Sequence, residues 1–507
     1  MNLEGMNKDE LLEAGLDIHD ISIHQQRIQE CLAEKAETFL PIQDTCRLDN
    51  QGILPQRFLR HLSEESLDGF VAFVPAAGAA SRYFQPLQEL RKALSELDNT
   101  RIQEERQRLL AQDVLRWPLP PLLRSFLLKG SELSAAAAQA LMGELDLPKA
   151  LLPCSSQGPS FLLQKQAEHS RLAGLTAQVF IAPLGQSGRF AQELRESRDS
   201  ETLPSVCLEQ GAQLSTLRFL RNGQPYRDRQ GALSLVPAGH GMLVKLFPDI
   251  HRQFPQAHSL LIRNIDNVNG WQPEILAASE TFMRQHMTLL GAIQRIRRAL
   301  HDDDIVEASR LARETLADFV SLKPAPLEAW FRELPEPWQP LWALLIRALH
   351  CPVVFAESQR ASVGDSKALR KLYDRPVNSV GQVPNSGKDV GGTPVSIATR
   401  EGLVSLCLEL PHASPSDRQR YLEDPKLATH FNPVFVAAEI PRQAHAYDLA
   451  HCPFWILAQK NFHGDAVVYH ETVLYEVLGN SITANVIFPE IPRLLFYPHK
   501  SLQDGCS

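Results

Sequence analysis

The sequence predicts an α/β protein built on a mixed, largely parallel sheet, with helical segments inserted into it. Residues 71–75, Val-Ala-Phe-Val-Pro, form a short apolar run that ends in the small-residue loop Ala76-Ala77-Gly78-Ala79-Ala80-Ser81-Arg82. A buried strand followed by such a turn is the arrangement of α/β sheets that carry ligand chemistry at their carboxyl edge. Strand-like runs at 178–183, 205–208 and 258–264 then alternate with helix-like segments at 161–171 and 241–252, the order in which a largely parallel sheet is threaded. The chain is 507 residues long, 44% hydrophobic and 22% charged. That is enough for a sizeable core and too ordinary a composition for a disordered or collagen-like chain.

Taken in order, residues 11–67 read as a helical, polar lead-in, with Ile21, Ile28 and Leu32 near helical spacing. Residues 87–145 read as helical, the alanine run at 135–138 included. A second helical stretch covers 273–350, where Leu289, Ile293, Ile296 and Leu300 form an apolar face. From 352 onward the pattern is one of short strands, at 395–397, 403–408 and 435–440, punctuated by Gly and Pro. The expected organisation is a lead-in at 1–67, a core at 68–350 carrying helical insertions at 87–145 and 273–350, and a continuation at 351–507 that ends in a small β-containing region.

Charge and cysteine usage exclude several classes. Lys plus Arg is 51 against Asp plus Glu 59, a net charge of -8, which leaves no electrostatic footprint for nucleic acid or an anionic membrane. No apolar run reaches the roughly 18 residues of a membrane span; that at 341–355 is broken by Arg347 and His350. The first ten residues, polar with three acids, lack the basic start and apolar run of a secretory signal. The eight cysteines are scattered without C-x-x-C or Cys/His ligand spacing, and are expected to be reduced packing residues of a cytoplasmic protein.

Five segments carry chemistry. In the loop 76–82, small residues let backbone N–H groups approach phosphate oxygens, Gly78 can adopt torsions closed to other residues, and Arg82 can neutralise an anion. Pro148-Lys149-Ala150-Leu151-Leu152-Pro153 sets Lys149 at a tight turn before an apolar, strand-like piece. Pro237-Ala238-Gly239-His240-Gly241 follows, then Asn264-Ile265-Asp266-Asn267 after a buried run, and finally Phe496-Tyr497-Pro498-His499-Lys500 with Asp504 behind it. Each alone is as well explained by an ordinary turn or a solvated loop. Their joint occurrence and order are what carry the argument.

The small-residue loop with Arg followed by P-K-x-L-L-P resembles the opening signature of sugar nucleotidyltransferases. P-x-G-H-G, N-x-D-N and the final P-x-K resemble elements of the UDP-sugar pyrophosphorylases, and Glu409 and the T-H-F-N-P segment at 429–433 resemble the sugar-contacting regions of UDP-N-acetylhexosamine pyrophosphorylases. Over most of the chain, roughly 71–504, the pattern is similar to an uncharacterised bacterial family, domain-of-unknown-function family 4301, in these segments and in the Gly391-Gly392 loop. Ala77, Ser81 and Met242 stand where pyrophosphorylases commonly have glycine, threonine and an acid.

The resemblance implies a Rossmann-like nucleotidyltransferase core of the glycosyltransferase-A-like kind. It also implies coupling of a nucleoside triphosphate, UTP first among them, to a sugar-1-phosphate with release of pyrophosphate. Arg82, Lys149 and Lys500 would be catalytic, and Ala77, Gly78, Ala79, Ser81, Gly239, His240 and Gly241 would hold the nucleotide. Asn267, Glu409, His430 and Asn432 would meet the sugar phosphate, and Asp266 would hold Mg²⁺. Two competing readings are a non-catalytic nucleotide-sugar-binding regulatory protein, which would keep the pocket without turnover, and a helical interaction scaffold.

Overall fold

The computed structural model describes residues 5–33, 39–63, 67–78, 80, 83–130, 132–196, 203–320, 322, 334–352, 366–387, 391–399, 402–441, 447, 456–462 and 464–504. The chain is mixed α/β, as predicted, and divides into two compact units. The first unit comprises Met1–Phe70, Gln210–Ile262 and Ala278–Arg493; the second comprises Val71–Glu209, Arg263–Ala277 and Leu494–Ser507. Among the described residues no helix is long and apolar enough to cross a membrane.

The second unit is built on the strands Phe70–Pro75, Leu175–Pro183 and Ser205–Gln210, neighbours in that order. The first two are buried over nearly their whole length, which is why they read as continuous apolar runs instead of alternating ones. Helices cover them, each with a local reason for its bounds. Asp98 caps Asn99–Leu110 by accepting the Arg101 N–H at 3.1 Å. Pro121 opens Pro121–Lys129, and Gly130, at φ +60°, ends it in the left-handed region. Ser134 and Ser160 cap Ala135–Leu145 and Phe161–Ser170.

The expected helical insertion at 87–145 is helical, but it is not a lobe with a core of its own. Leu90, Ile102, Leu123 and Leu141 share one hydrophobic cluster with Val74 and Phe180 of the strands and with Leu502 near the chain end. Burying that apolar face is what holds these short helices, since isolated helices of this length are marginal in water.

In the first unit the strands Asn485–Ile487, Val377–Val380, Phe435–Glu439 and Ser259–Arg263 are neighbours in that order. The pair 485–487 with 377–380 is parallel, whereas 435–439 runs antiparallel to 377–380. The long helix Pro273–His301 buries Leu289, Leu290, Ile293, Ile296 and Leu300, the face the sequence predicts, against Leu311, Leu341 and Leu345.

Two local expectations are corrected. The lead-in at 11–67 is not helical throughout: Ile42–Thr45 is a strand, paired antiparallel with Thr393–Thr399. Four residues of mixed polarity become a strand because a partner some 350 positions away supplies the ladder, and no local pattern reports that. The apolar piece after Pro148 is not strand-like but a single 3₁₀ turn, Lys149–Leu151, closed by the Leu151 N–H on the Pro148 carbonyl at 3.0 Å. Prolines at 148 and 153 bracket a segment too short for a ladder.

The loop at Gly239 shows why glycine is needed where it is. Its φ is +86°, and a Cβ there would lie 2.2 Å from the Thr472 carbonyl oxygen. The Thr472 N–H donates to the Ala238 carbonyl at 2.9 Å and the Gly241 N–H to the Thr472 carbonyl at 3.0 Å, so the two backbones cannot separate without losing both bonds. Gly239→Ala is therefore expected to cost more than about 1 kcal/mol, from strain and lost backbone pairing together. Urea unfolding should show the midpoint fall with an unchanged slope.

Candidate active site

The second unit holds six described residues singled out by sequence: Ala77, Gly78, Lys149, Asp266, Asn267 and Lys500. At the end of the strand Phe70–Pro75 the chain enters the small-residue loop, and the Gly78 carbonyl accepts the Lys149 N–H at 3.2 Å. Gly78 is exposed, and nothing lies within 4 Å of where its Cβ would be. Its φ is not in the left-handed region open to glycine; what glycine leaves there is bare backbone open to approach. Ala77 is half-buried beside it, whereas Ala79, Ser81 and Arg82 lie outside the described residues.

Lys149 is buried, and its Nζ donates to Asp266 Oδ2 at 3.2 Å and to the His499 carbonyl. The ammonium also lies 5.1 Å and 5.3 Å from the ring centroids of Tyr83 and Phe161, where the negative ring faces attract a cation. Asp266 follows the strand Ser259–Arg263, and its side chain is 24% exposed. Lys149 is the hydrogen-bond partner of that carboxylate among the described residues.

The tail at 494–504 is strapped to the Asp266 loop by backbone and amide bonds. Asn267 donates through Nδ2 to the Leu495 carbonyl at 2.9 Å and accepts the Tyr497 N–H through Oδ1 at 2.7 Å. The Val268 N–H reaches the Tyr497 carbonyl at 3.1 Å and the His499 N–H the Asp266 carbonyl at 2.9 Å. Asn267 is 1% exposed, so its amide is committed to the strap. Asp504 then accepts the backbone N–H groups of Lys500 and Ser501 at 2.6 and 2.7 Å, turning the chain so that the Lys500 side chain is exposed one residue beyond the carbonyl that holds Lys149.

Behind this layer lies a cluster that the sequence reading passed over. Lys165, Glu168 and Arg263 are at most 2% exposed; Lys165 Nζ is 2.8 Å from Glu168 Oε2 and Arg263 Nη2 3.4 Å from the same oxygen. Lys165 also donates to the Asn267 carbonyl, and Glu168 Oε1 accepts the Gly270 N–H at 3.0 Å. Burial pushes the Lys165 ammonium down to about 8. Burial raises the Glu168 carboxyl, but the charges of Lys165 and Arg263 with their hydrogen bonds outweigh it, and the net shift is downward. In sequence, Lys165 and Glu168 three apart on a helix look like an ordinary surface pair. The one signal was Arg263, a charge closing the apolar run 259–262.

The remaining site residues belong to the first unit, where the short helix Leu474–Leu478 holds His240 and Glu409. The Leu474 N–H donates to His240 Nδ1 at 2.9 Å, so that nitrogen is an acceptor, and burial lowers the His240 pKa to about 4. The Tyr475 ring lies 6.1 Å from the His240 ring and fills the space a Cβ on Gly392 would need. Glu476, fully buried, accepts the Glu409 N–H and His412 Nδ1 through one oxygen, both at 2.7 Å. An acid alone in the apolar run 473–478 was a readable sign of a paired buried carboxylate. His430 uses both ring nitrogens, on Thr429 Oγ1 at 2.8 Å and Glu490 Oε2 at 3.1 Å. Asn432 donates to the Gly381 carbonyl at 2.7 Å and accepts the Val434 N–H at 2.9 Å.

Glu168→Gln keeps the shape of the cluster and removes its only carboxylate among the described residues, leaving two buried cations facing each other. At neutral pH the expected loss of stability is about 3 kcal/mol or more. The sign with pH follows from the downward shift: the contribution of Glu168 is present above its unfolded pKa and is lost as pH falls through the folded value. The gap between wild type and variant should therefore shrink on acidification below the ordinary carboxylate range, as read by urea unfolding at neutral and acid pH.

No family model matches the chain, the domain-of-unknown-function family included, and no curated protein matches it. Solved structures do. A mutant UDP-glucose pyrophosphorylase from Leishmania major in complex with UDP-glucose aligns over 98% of this chain and 76% of its own, at 12% identity, with a TM-score of 0.50. A second mutant of the same enzyme gives the same identity, coverage and score. A UDP-glucose phosphorylase from Trypanosoma brucei covers the same shares at 12% identity with a TM-score of 0.49. The chain has the fold of the UDP-glucose pyrophosphorylases, a sugar nucleotidyltransferase fold.

Proposed function

We propose that this protein is a sugar nucleotidyltransferase that couples a nucleoside triphosphate, UTP by preference, to a sugar-1-phosphate with release of pyrophosphate. The observation that carries the reading is the meeting of Lys149, Asp266 and the Lys500-bearing tail beside the bare backbone at Gly78. A sugar-1-phosphate oxygen attacks the α-phosphorus of the triphosphate, a new P–O bond forms, and the bond to the β-phosphate oxygen breaks as pyrophosphate leaves. The barrier lies in bringing two polyanions into line and answering charge at the transferring group, so preorganised cations and N–H groups are the needed tools.

In this reading Lys149 leaves the Asp266 carboxylate for a phosphate oxygen, and Lys500 and Arg82 supply further positive charge. In the second unit the loop 76–82 offers backbone N–H groups to the nucleotide phosphates. Asn267 fixes the tail that carries Lys500 through its two main-chain bonds.

Among the described residues no group of three or more His, Cys, Asp or Glu side chains is placed to hold a metal. A single partly exposed carboxylate at Asp266 fits Mg²⁺ in the one mode that needs no protein cage, with phosphates and water as the other ligands. When bound, Mg²⁺ would neutralise phosphate charge. The similar solved structures are of a UDP-glucose pyrophosphorylase, one of them in complex with UDP-glucose, which supports the substrate class.

The test is pyrophosphate release by pure protein supplied with Mg²⁺ and panels of triphosphates and sugar-1-phosphates. Lys500→Ala should lower kcat about a hundredfold, about 3 kcal/mol in the barrier, because it removes a cation from the transferring phosphate. Asp266→Asn should stay folded and lose metal-dependent turnover. Tight nucleotide-sugar binding with no pyrophosphate exchange for any sugar would reject the enzyme and leave the regulatory binder.

A further inference from the structure

The first unit contains a cavity of about 630 Å³, a size typical of small-molecule sites, lined by the last turns of the helix Pro273–His301, by the end of the helix Ser366–Tyr373 with the residues after it, and by Glu439. None of its lining residues has a part in the proposed reaction. Its charge balance is unlike that of the chain, whose net charge is -8. Arg297, Arg298, Lys371 and Arg375 face two carboxylates, Asp374 and Glu439.

Both carboxylates are already engaged. Arg297 forms a two-bond fork with Glu439 at 2.5 and 2.9 Å, and Glu439 also accepts the Val377 N–H at 2.9 Å. Asp374 Oδ1 lies 2.9 Å from His301 Nε2.

Basic residues at helix C-termini ordinarily answer the exposed carbonyls there. Two of the cations are committed to main-chain carbonyls: Arg297 donates to the Tyr373 and Arg375 carbonyls at 2.6 and 2.7 Å, and Arg375 to the Ser481 and Ile482 carbonyls at 2.9 and 2.8 Å. Arg298 and Lys371 are not. Neither has a hydrogen-bond or ion-pair partner among the described residues, though both line the cavity. Two exposed cations, Arg298 and Lys371, thus have no protein partner among the described residues in a concavity that also holds the largely buried Arg297–Glu439 fork.

We propose that this cavity binds a small phosphorylated anion, with its phosphoryl group between Arg298 and Lys371. A phosphomonoester carries close to two negative charges at neutral pH, which matches the two uncompensated cations. The guanidinium offers a planar pair of donors to two phosphate oxygens, and the ammonium a point charge to the third. The uncharged part of the ligand would lie along Gln294 and Pro376.

Isothermal titration of intact protein with glucose 1-phosphate, orthophosphate, pyrophosphate and sulfate tests this, in wild type, in Arg298→Gln/Lys371→Gln and in Lys149→Ala/Lys500→Ala. The expected result is a saturable event, in the region of millimolar or tighter, that weakens at least about tenfold in the Arg298/Lys371 variant and persists in the Lys149/Lys500 variant. Glucose 1-phosphate tighter than orthophosphate assigns an ester ligand, and equal affinity assigns the phosphoryl group alone. The proposal is overturned if wild type shows no saturable binding or if every event survives Arg298→Gln/Lys371→Gln. It is equally overturned if sulfate binds as well as any phosphate, since the cavity would then take adventitious anions only. Failure of the pyrophosphorylase reading would remove turnover and the events lost in Lys149→Ala/Lys500→Ala, without touching this one.

Discussion

Glu168 answers Lys165 and Arg263 in a volume from which water is excluded, and it also takes the Gly270 N–H, so none of these groups can move without stranding a charge. Two buried cations near one carboxylate are costly to desolvate. Removing one partner from such a cluster is costlier than the cluster itself is stabilising. The consequence is rigidity where the chain would otherwise be a loop. Lys165 holds the Asn267 carbonyl at one point of the loop and Glu168 holds Gly270 three residues on, so the position of Asp266 is set from behind. From the same loop, Asn267 ties down Leu495 and Tyr497 and thereby the tail that carries His499 and Lys500.

The Lys149 environment follows from that rigidity. A buried ammonium needs acceptors, and here they are a carboxylate on the fixed loop and a carbonyl on the strapped tail, with two aromatic faces alongside. In the proposed reaction the carboxylate is the partner that Lys149 exchanges for a phosphate oxygen. The His499 carbonyl and the rings of Tyr83 and Phe161 are not displaced by such an exchange. That exchange would leave most of the Lys149 surroundings in place, the behaviour required of a preorganised electrostatic group.

What was legible in the sequence, and what was not, divides along one physical line. Strands buried on both faces announce themselves as apolar runs, and the helix Pro273–His301 as a periodic one, because burial of apolar area is a local property of composition. Motif order singled out the segments carrying Lys149, Asp266 and Lys500, and the structure brings those segments together. Lys165 and Glu168 were not, since charged residues at helical spacing look the same whether they face solvent or one another in a core. Ile42–Thr45 was not, because its ladder partner lies far along the chain. Glu476 and Arg263 fall between: each is a charge set in an apolar run, a pattern that signals a buried partner without naming it.

The contacts that set the candidate site are mostly made by main chain. Gly78 receives Lys149 through its carbonyl and a backbone N–H; Asp266, Val268, Leu495, Tyr497 and His499 are joined through carbonyls and N–H groups, with one amide side chain mediating. Main-chain bonds persist through substitution of the side chains that flank them, provided the backbone path is kept. A chain can then retain this fold at 12% identity to solved structures with a TM-score of 0.50. The side chains under tight constraint are those that backbone cannot replace: the glycine at 239, whose Cβ would strike Thr472, the buried charges at 165, 168 and 263, and the amide at 267.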